Sequence, residues 1–527
     1  MIMTKGLLYA ARTYPEKIAI IDGDETYTYK EFMIRTAKLK AALHKLQVKK
    51  GDRVGILLLN NYRYLEIMYA ATSFGAIVVP MNVRLNANEV AFILKDAEVK
   101  TLFIHKEFLP MVNELKEKVP SLQHIILAEN SLDEEELNNH SVLLYESVIN
   151  NEKEETLTIE QVEEEDIAGL FYTGGTTGRS KGVMLTHKNV VNNAYHAALN
   201  LKYDEKEIYL HAAPMFHLAD QASTLAITLV GGTHAHVRSF TPVRVLEAIQ
   251  KNNITAVLLV PTMINMFINA PQFDQYDVNS LRKILYGASP MSVELLKKAM
   301  KCIPNATFMQ AYGMTEAAPI LTVLRGEDHV VEGSDQQLKR LMSCGQPVQG
   351  VEMKVVDPNG EEAPNGQVGE IVAKAPNIMK GYWNLKEETA HALRNGWYYT
   401  GDLGYKDDDD YYYIVDRAKD MIITGGENVY STEVENVLYE HPSILECAVI
   451  GTPNEKWGEV VTAVIVLKEG MTLSEQELKA FTKEKLADFK VPKIIEFTNE
   501  LPKSGAGKIL KRHLRDQHWH NQTKKVH

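Results

Sequence analysis

The chain has 527 residues, of which 45% are hydrophobic and 24% are charged, and it carries a net charge of −12. This length is too great for one hydrophobic core, so two or more domains are expected. The acidic balance disfavours nucleic acid or an anionic membrane as a partner, because both are negatively charged themselves.

The three cysteines, Cys302, Cys344 and Cys447, lie far apart and form no CxxC pair. This spacing predicts neither a disulfide framework nor a structural zinc site, and it fits a reducing compartment. The first residues contain no long apolar segment, so we expect no signal peptide. The longest apolar runs are far too short to span a bilayer. We therefore expect a soluble, cytoplasmic protein without an integral membrane segment, and the sequence leaves a homodimer open.

Over roughly the first four hundred residues, short apolar runs alternate with longer amphipathic segments. This rhythm predicts α/β layers with mostly parallel, buried strands. A helix is expected over Tyr62 to Phe74, and strands are expected at Arg53 to Leu59, Ala76 to Pro80, Thr101 to Ile104, His124 to Leu127 and Thr255 to Val260.

The pattern then changes to alternation with a period of two, which is typical of strands with one buried face. Val351 to Val356 and Val368 to Ala373 alternate in this way, and the turn signal Asp357 to Gly360 separates them. Another strand is expected at Tyr411 to Val415. We interpret the acidic run Asp407 to Asp410 before it as a solvated hairpin tip rather than a metal site.

A compact α/β unit begins after Lys419, where we place a domain boundary. Its first helix is expected from Ser431, with a Ser or Thr as the cap. Strands and a second helix should follow at Glu446 to Ile450, Val460 to Leu467 and Ser474 to Ala487.

The strongest functional signal is the segment Tyr172 to Val183, which follows an apolar strand and reads YTGGTTGRSKGV. Its glycines allow backbone N–H groups to approach phosphate oxygens, its hydroxyls donate hydrogen bonds, and Lys181 adds positive charge. It is not a Walker A loop, because Gly182 follows Lys181 where that motif needs Ser or Thr. Taken alone, the segment also fits a surface turn.

Four further segments carry polar groups suited to a nucleotide. Gln310 to Glu316 offers an aromatic ring for a base and a carboxylate for Mg²⁺, which prefers hard oxygen donors. Asp402 follows a turn and suits a ribose, while Asp416 and Arg417 add opposite charges near the domain boundary. Pro502 to Lys508 is a second glycine-containing segment that ends in a lysine. Each of these alone also fits a turn or a surface ion pair.

Together and in this order, the motifs resemble the adenylate-forming superfamily: acyl-CoA synthetases, aryl-CoA ligases, luciferases and peptide-synthetase adenylation domains. The resemblance runs from about Leu7 to Arg512 and is most like bacterial fatty-acyl-CoA synthetases. It implies an α/β fold with a large N-terminal AMP-binding domain, residues 1–418, of packed α/β subdomains plus a β-barrel-like region. A small mobile α+β lid domain, residues 419–527, is implied to follow, with the hinge near Lys419.

The resemblance also implies a role for each motif. ATP, Mg²⁺ and coenzyme A are the expected cofactors, and a small carboxylic acid is the expected substrate. Lys508 is implied as the lysine of the adenylation step, and Glu316 and Thr173 as the groups that serve Mg²⁺. Rotation about Lys419 is implied to withdraw Lys508 and to admit the thiol. The residues implied to bind nucleotide or line the site are Thr173, Gly174, Gly175, Thr176, Thr177, Gly178, Lys181, Gly287, Ala288, Ser289, Gln310, Ala311, Tyr312, Gly313, Thr315, Asp402, Arg417, Lys419, Gly425 and Gly426.

Two positions depart from the family pattern. Gly175 stands where Ser or Thr is usual, and Ser180 stands where Pro is usual. We expect slower or weaker use of ATP at most.

The identity of the acid is less determined by the sequence. The segment Pro214 to Gln221 matches the family segment that forms a wall of the acyl pocket, where His217 argues against an amino acid. The pocket is expected to include His217, Ala311 and Met314, and the rest of the wall is apolar. A medium- or long-chain fatty acid is the first choice and an aromatic acid, such as a hydroxycinnamate or benzoate, the second. An enzyme that loads a carrier protein, a luciferase-like oxygenase and a non-enzymatic nucleotide-binding module are the remaining alternatives.

Overall fold

The structure is a computed structural model that describes residues 1–131, 140–173, 180–289, 291–503 and 509–519. The strands, in chain order, are β1 (Ile18–Asp22), β2 (Glu25–Thr28), β3 (Arg53–Leu57), β4 (Ile77–Pro80), β5 (Val99–Ile104), β6 (His124–Leu127), β7 (Leu143–Leu144), β8 (Ile167–Thr173), β9 (Lys181–Thr186), β10 (Ile208–His211), β11 (Thr233–His236), β12 (Ala256–Leu258), β13 (Lys283–Gly287), β14 (Thr307–Gly313), β15 (Ile320–Leu324), β16 (Gln346–Pro347), β17 (Glu352–Val356), β18 (Gly369–Lys374), β19 (Gly381–Tyr382), β20 (Leu393–Arg394), β21 (Trp397–Lys406), β22 (Tyr412–Arg417), β23 (Ile422–Thr424), β24 (Glu427–Val429), β25 (Ile444–Asn454), β26 (Gly458–Leu467) and β27 (Ile494–Phe497). The α-helices are α1 (Thr4–Thr13), α2 (Tyr29–Lys45), α3 (Tyr62–Thr72), α4 (Ala87–Asp96), α5 (Val112–Lys118), α6 (Tyr145–Asn150), α7 (His187–Asn200), α8 (Leu218–Val230), α9 (Pro242–Asn252), α10 (Pro261–Ile268), α11 (Val293–Cys302), α12 (Asp335–Arg340), α13 (Lys386–Ala392), α14 (Ser431–Tyr439), α15 (Glu475–Lys483) and α16 (Lys511–His518).

Two large sheets dominate the first part of the chain. The first has nine strands in the order β16-β15-β14-β13-β12-β10-β11-β1-β2, and its central strands from β14 to β1 are parallel. The second has eight strands in the order β19-β9-β8-β4-β3-β5-β6-β7, parallel from β8 to β7. Antiparallel strands are added at the edges. In the second sheet β9 pairs with β8, and β19 pairs with β9. The predicted parallel α/β layers are thus confirmed.

The core of this part is built around helices that are buried on all sides. All eleven residues of α3 are buried, and so are most residues of α8. A helix without a polar face must lie between other elements rather than on a surface. The side chain of Asn61 caps α3 by accepting from the Tyr64 amide, which satisfies one of the free N–H groups at its start.

Two smaller sheets follow. The third, β17-β18-β21-β20 with β22 on β21, is antiparallel, and β17 pairs with β18 as the period-two pattern predicted. The fourth is β24-β23-β26-β25 with β27 on β26, and α14 and α16 pack against its strand β25. The last strand of the third sheet ends at Arg417 and the first strand of the fourth begins at Ile422, so Lys419 lies between the two sheets. The division into residues 1–418 and 419–527 stays a prediction.

The predicted cap of α14 is wrong. The helix begins at Ser431, as expected, but its N-cap residue is Tyr430, which makes no side-chain cap bond. The Ser431 hydroxyl instead donates at 2.8 Å to the buried carboxylate of Asp416, which lies in β22 of the third sheet. A side-chain partner from the preceding sheet has replaced the local cap.

Within the described ranges, none of the helices combines the length and the apolar character that crossing a bilayer requires.

Candidate active site

The predicted phosphate-binding segment connects β8 and β9. These strands pair antiparallel, so that Thr173 and Lys181 face each other at the base of the connection. The Tyr172 hydroxyl donates to the Asp96 carboxylate at 2.5 Å, which fixes the end of β8 to α4. Gly174, Gly175, Thr176, Thr177 and Gly178 lie outside the described residues. The structure therefore fixes the two ends of this segment, with a hydroxyl on one and an ammonium group on the other.

A tyrosine connects Lys181 to the predicted magnesium ligand. The Tyr382 hydroxyl donates to Glu316 Oε1 at 2.8 Å. The Lys181 ammonium lies over the ring of the same tyrosine, 5.1 Å from its centroid, a cation–π arrangement. Strand β19 carries Tyr382 beside β9, and the Met379 amide donates to the Glu316 carbonyl at 2.8 Å. Tyr382 belongs to none of the motifs found in the sequence, although it lies in the aromatic segment Gly381-Tyr382-Trp383.

Asp402 forms the centre of a second cluster. It is 2% exposed, and its two carboxylate oxygens are contacted by Arg417 Nε at 2.5 Å and by the Tyr312 hydroxyl at 2.7 Å. The pairing of β21 with β22 places Asp402 opposite Arg417. Burial and the Asp402 carboxylate raise the pKa of Tyr312 well above its usual value, so this phenol remains a donor. A ribose bound to Asp402 would therefore share the carboxylate with two protein groups.

The two clusters are close enough to interact electrostatically. Burial lowers the pKa of Arg417, but Asp402, Tyr312, Tyr398 and Glu316 together raise it above its ordinary value. The arginine is thus held as a cation among groups from β14, β21 and the short helical turn Thr315–Ala317, which carries Glu316. Thr315 begins this turn, and Gln310 lies in β14 beside Tyr286 of β13.

An apolar cavity lies at the carboxyl ends of the central strands of the first sheet. It is partly open, and its volume is about 60 Å³. This position agrees with the rule that ligands of parallel sheets bind beyond the carboxyl ends of the strands. The residues that line it come from α8 and β12 to β15, and they are Ala219, Ala222, Leu258, Val260, Leu285, Tyr286, Gly287, Ala288, Ala311, Tyr312, Gly313, Pro319 and Ile320.

Close backbone packing explains the small residues of this wall. A Cβ added to Gly287 would lie 2.3 Å from the Ala311 carbonyl oxygen, and one added to Gly313 would lie 1.7 Å from the Pro319 carbonyl oxygen. Ala288 follows β13 with a φ of 65°, a left-handed conformation that costs a non-glycine residue ~1–2 kcal/mol. Strained residues of this kind concentrate at functional sites. Ser289 comes next in the chain, and Pro290 lies outside the described residues.

Of the predicted site residues, Gly287, Ala288, Ala311, Tyr312 and Gly313 line this cavity. Met314 and His217 do not belong to its lining. Met314 follows β14 and packs against the two large core clusters instead. Five further lining residues carried no sequence motif: Leu258, Leu285, Tyr286, Pro319 and Ile320. Leu258 ends the parallel strand β12 and pairs with Leu285 of β13, so the carboxyl end of a predicted strand is the signal that would have found it.

His217 occupies the N-cap position of α8 without capping it. Its Nε2 atom is buried and has no hydrogen-bond partner among the described residues. Burial, with a contribution from Arg84, lowers the pKa of His217 to about 4, so its ring is neutral near pH 7. Its ring lies 4.2 Å from that of Phe216. A buried nitrogen without a partner is costly and suits a group that a ligand satisfies.

Of the predicted groups beyond Arg417, Lys419 lies near enough to the Asp402 cluster for Arg417 and Asp402 both to act on its pKa, which burial lowers. Gly425 and Gly426 form the tip of the β23–β24 hairpin, where φ values of 62° and 88° require glycine-like freedom. The Gly425 amide donates to the Trp457 carbonyl at 2.8 Å within the same sheet. The Lys419 carbonyl accepts from Arg515 at 3.3 Å. Lys508 lies outside the described residues, whose nearest members, Lys503 and Ile509, pair with each other.

The arrangement also bears on magnesium. Glu316 Oε1 accepts from Tyr382, and no described residue donates a hydrogen bond to Oε2. This oxygen and the Thr173 hydroxyl are hard donors of the kind that Mg²⁺ prefers. Among the described residues, no three His, Cys, Asp or Glu side chains are grouped so that they could share a metal ion. A site with one carboxylate fits Mg²⁺ bound together with phosphates and water, and it does not fit an all-protein metal centre.

The chain is similar to known proteins over nearly its whole length. The sequence profile described as AMP-binding enzyme matches residues 7–383, and that of the AMP-binding enzyme C-terminal domain matches residues 433–508. A feruloyl-CoA synthase from Amycolatopsis sp is 38% identical over 96% of each chain. A fatty acid–[acyl-carrier-protein] ligase, ScoC, from Streptomyces coeruleorubidus is 34% identical over 98% of this chain and 96% of its own. The crystal structure of the anthranilate CoA ligase AuaEII with anthranoyl-AMP superposes with a TM-score of 0.89, at 27% identity over 98% and 97% of the two chains.

Proposed function

This chain belongs to the AMP-binding enzyme family, and from that membership we propose that it is an ATP-dependent, AMP-forming acid–thiol ligase whose acid is a compact aromatic carboxylate. A hydroxycinnamate or a benzoate is the substrate class, and coenzyme A is the acceptor. The feruloyl-CoA synthase and the anthranilate CoA ligase support this choice over the fatty acid that the sequence analysis preferred.

The size of the apolar cavity carries the proposal. Its 60 Å³ is less than half of the ~150 Å³ of an apolar cavity that admits benzene. An aromatic ring therefore already requires small shifts of the wall. A long alkyl chain needs several times the volume of one ring, and the close packing of Gly287 on the Ala311 backbone leaves no room between these two strands.

The chemistry of the wall also favours an aromatic ring. Tyr286 and Tyr312 both line the cavity, while their hydroxyls are bonded to His329 and Asp402 outside it. They therefore offer aromatic surface, against which a substrate ring packs in offset or edge-to-face geometry. No charged side chain belongs to the described lining, which disfavours a second carboxylate or an ammonium group on the acid. The Arg238 guanidinium is not available for a second carboxylate either, because it is paired with Glu107 and Glu129.

The charged clusters support the adenylation step. Attack of a carboxylate on the α-phosphate of ATP brings anions together, and fixed positive charge lowers this barrier. Lys181 and Arg417 supply such charge, and Glu316 with Thr173 would hold Mg²⁺, which when bound neutralises phosphate charge. Asp402 would orient the ribose, and Lys508 would bridge the acid and the α-phosphate.

A two-step reaction also needs two arrangements of the chain. We infer that residues 419–527 rotate about Lys419 after adenylation, because pyrophosphate release and thiol entry need different surroundings. The Gly425–Gly426 hairpin tip would then face the adenylate.

A substrate panel tests the proposal. Purified protein with ATP, Mg²⁺ and coenzyme A should release AMP with coumarate or benzoate at least tenfold faster than with palmitate, acetate or a dicarboxylate. Preference for palmitate would contradict the aromatic assignment and restore the fatty-acid hypothesis. Pyrophosphate exchange without thioester formation would contradict coenzyme A as acceptor and favour a carrier protein.

A matched pair of variants tests the cavity itself. Ala222→Leu adds bulk to the lining, and we expect kcat/KM for coumarate to fall ~10–100-fold, because overpacking costs ~1–3 kcal/mol. Ala198→Leu makes the same exchange on α7, outside the lining, and should alter kcat/KM less than threefold. Equal losses in both variants would show that the cavity does not hold the acid.

A further inference from the structure

We propose that Tyr382 is a positioning residue that holds Glu316 and Lys181 in one fixed geometry for MgATP. The inference rests on the proposed function only in that the chain binds MgATP. The role belongs to the side chain of Tyr382, which contacts both groups at once.

The hydrogen bond orients the carboxylate. The Tyr382 hydroxyl donates to Glu316 Oε1, which leaves Oε2 as the oxygen without a donor among the described residues. A carboxylate that can turn freely presents either oxygen, whereas a bonded one presents a single oxygen in a fixed direction. Hydrogen bonds from groups around a ligand set metal affinity in this way, and their loss typically costs ~10–100-fold.

The ring positions the ammonium group. Lys181 Nζ lies 5.1 Å from the centroid of the Tyr382 ring, so the aromatic face attracts the cation toward the Glu316 side of the hairpin base. Lysine has a long flexible stem, so such a contact restricts the position of its ammonium group more than it would restrict a rigid side chain. The same tyrosine therefore sets the distance between a phosphate-binding charge and a metal-binding charge.

The backbone around Tyr382 holds the side chain firmly. Its amide donates to the Thr389 hydroxyl at 2.9 Å, and the Trp383 amide donates to the Gly182 carbonyl at 2.7 Å. Gly381, with a φ of 144°, has no room for a side chain, because a Cβ there would lie 2.6 Å from Thr389 Cγ2.

Calorimetric titration of the full chain with ATP, in the presence of Mg²⁺ or of EDTA, tests the inference without turnover. We expect Tyr382→Phe to keep the cation–π contact and to bind metal-free ATP normally. The factor by which Mg²⁺ raises the affinity for ATP should be about tenfold smaller in this variant. Tyr382→Leu should also weaken metal-free ATP, because Lys181 then loses its aromatic contact. The Mg²⁺ concentration for half-maximal pyrophosphate exchange should rise by a similar factor in Tyr382→Phe.

Tyr411→Phe is the matched control. It removes a phenol–carboxylate bond of the same length, 2.8 Å to Asp328, at a distant hairpin, and should leave the Mg²⁺ effect unchanged. An unaltered Mg²⁺ effect in Tyr382→Phe, or an equal change in both variants, would overturn the inference. A chain that binds MgATP but activates no acid would refute the proposed function alone.

Discussion

At the scale of single residues, Gly287 shows how little space separates the strands beside the cavity. A methyl group at this position would lie 2.3 Å from the Ala311 carbonyl oxygen, which belongs to the backbone and cannot turn aside. We expect Gly287→Ala to lower the free energy of unfolding by ~1–3 kcal/mol and to reduce adenylation strongly. Thermal unfolding and pyrophosphate exchange measure both effects.

Gly6→Ala is the control for this variant. In α1 a Cβ at this site meets nothing closer than 3.8 Å, so the exchange should stabilise the helix by about 0.5–1 kcal/mol. Gly287→Ala with full stability and full activity would show that the strands separate easily.

Buried histidines make the stability of the chain sensitive to acid. Burial lowers the pKa of His187 and of His196 to about 4 each, below the usual value near 6.5. The folded state therefore binds fewer protons, and stability is complete above pH 6.5 and falls as the pH drops toward 4. Each histidine contributes up to ~3 kcal/mol to this loss.

Urea unfolding at pH 7.5, 6 and 5 measures this effect. His187→Gln should flatten the decline, because the amide cannot be protonated. Stability that rises as the pH falls through this window would contradict the prediction.

At the scale of elements, a buried ion pair joins α16 to α14. Lys511 Nζ lies 2.7 Å from Glu435 and donates to the Ser431 hydroxyl at 2.6 Å, and the side chains of Lys511 and Glu435 are about 15% and 13% exposed. Asp416, at the end of the third sheet, also bonds to Ser431. In this arrangement Ser431 therefore connects the last helix to Asp416, just before Lys419.

We expect Lys511→Met to destabilise the C-terminal sheet by ~3 kcal/mol, because it leaves Glu435 buried without its counter-ion. Adding Glu435→Gln to it should recover most of this loss. Denaturant unfolding followed by amide exchange in β25 and β26 checks the result. Lys479→Met, which removes an exposed pair with Glu475, should change stability by less than 0.5 kcal/mol.

At the scale of the whole molecule, the proposed rotation about Lys419 separates two half-reactions. Lys419→Pro restricts the backbone at this residue and at the one before it. We expect pyrophosphate exchange to stay within threefold of the wild-type rate while thioester formation falls at least tenfold. Equal losses in both half-reactions would indicate damage to the site and not to the rotation.

Much of the fold could be predicted because its signals are local. The parallel strands β3 to β6 and the buried helix α3 follow from apolar runs and their period, and the β17–β18 hairpin follows from alternation and a turn signal. The cap of α14 could not, because Ser431 bonds to Asp416, fifteen residues earlier in the chain.

The sequence by itself determined the family and the α/β fold class, because these depend on short segments whose residues carry their signal wherever they lie. Only the tertiary structure decided the size and aromatic character of the cavity and the contact of Tyr382 with Glu316 and Lys181. Those properties depend on which strand ends meet and how closely their backbones approach. Gly287 meets Ala311 and Tyr382 meets Glu316 across long separations in sequence, so no local pattern records these distances.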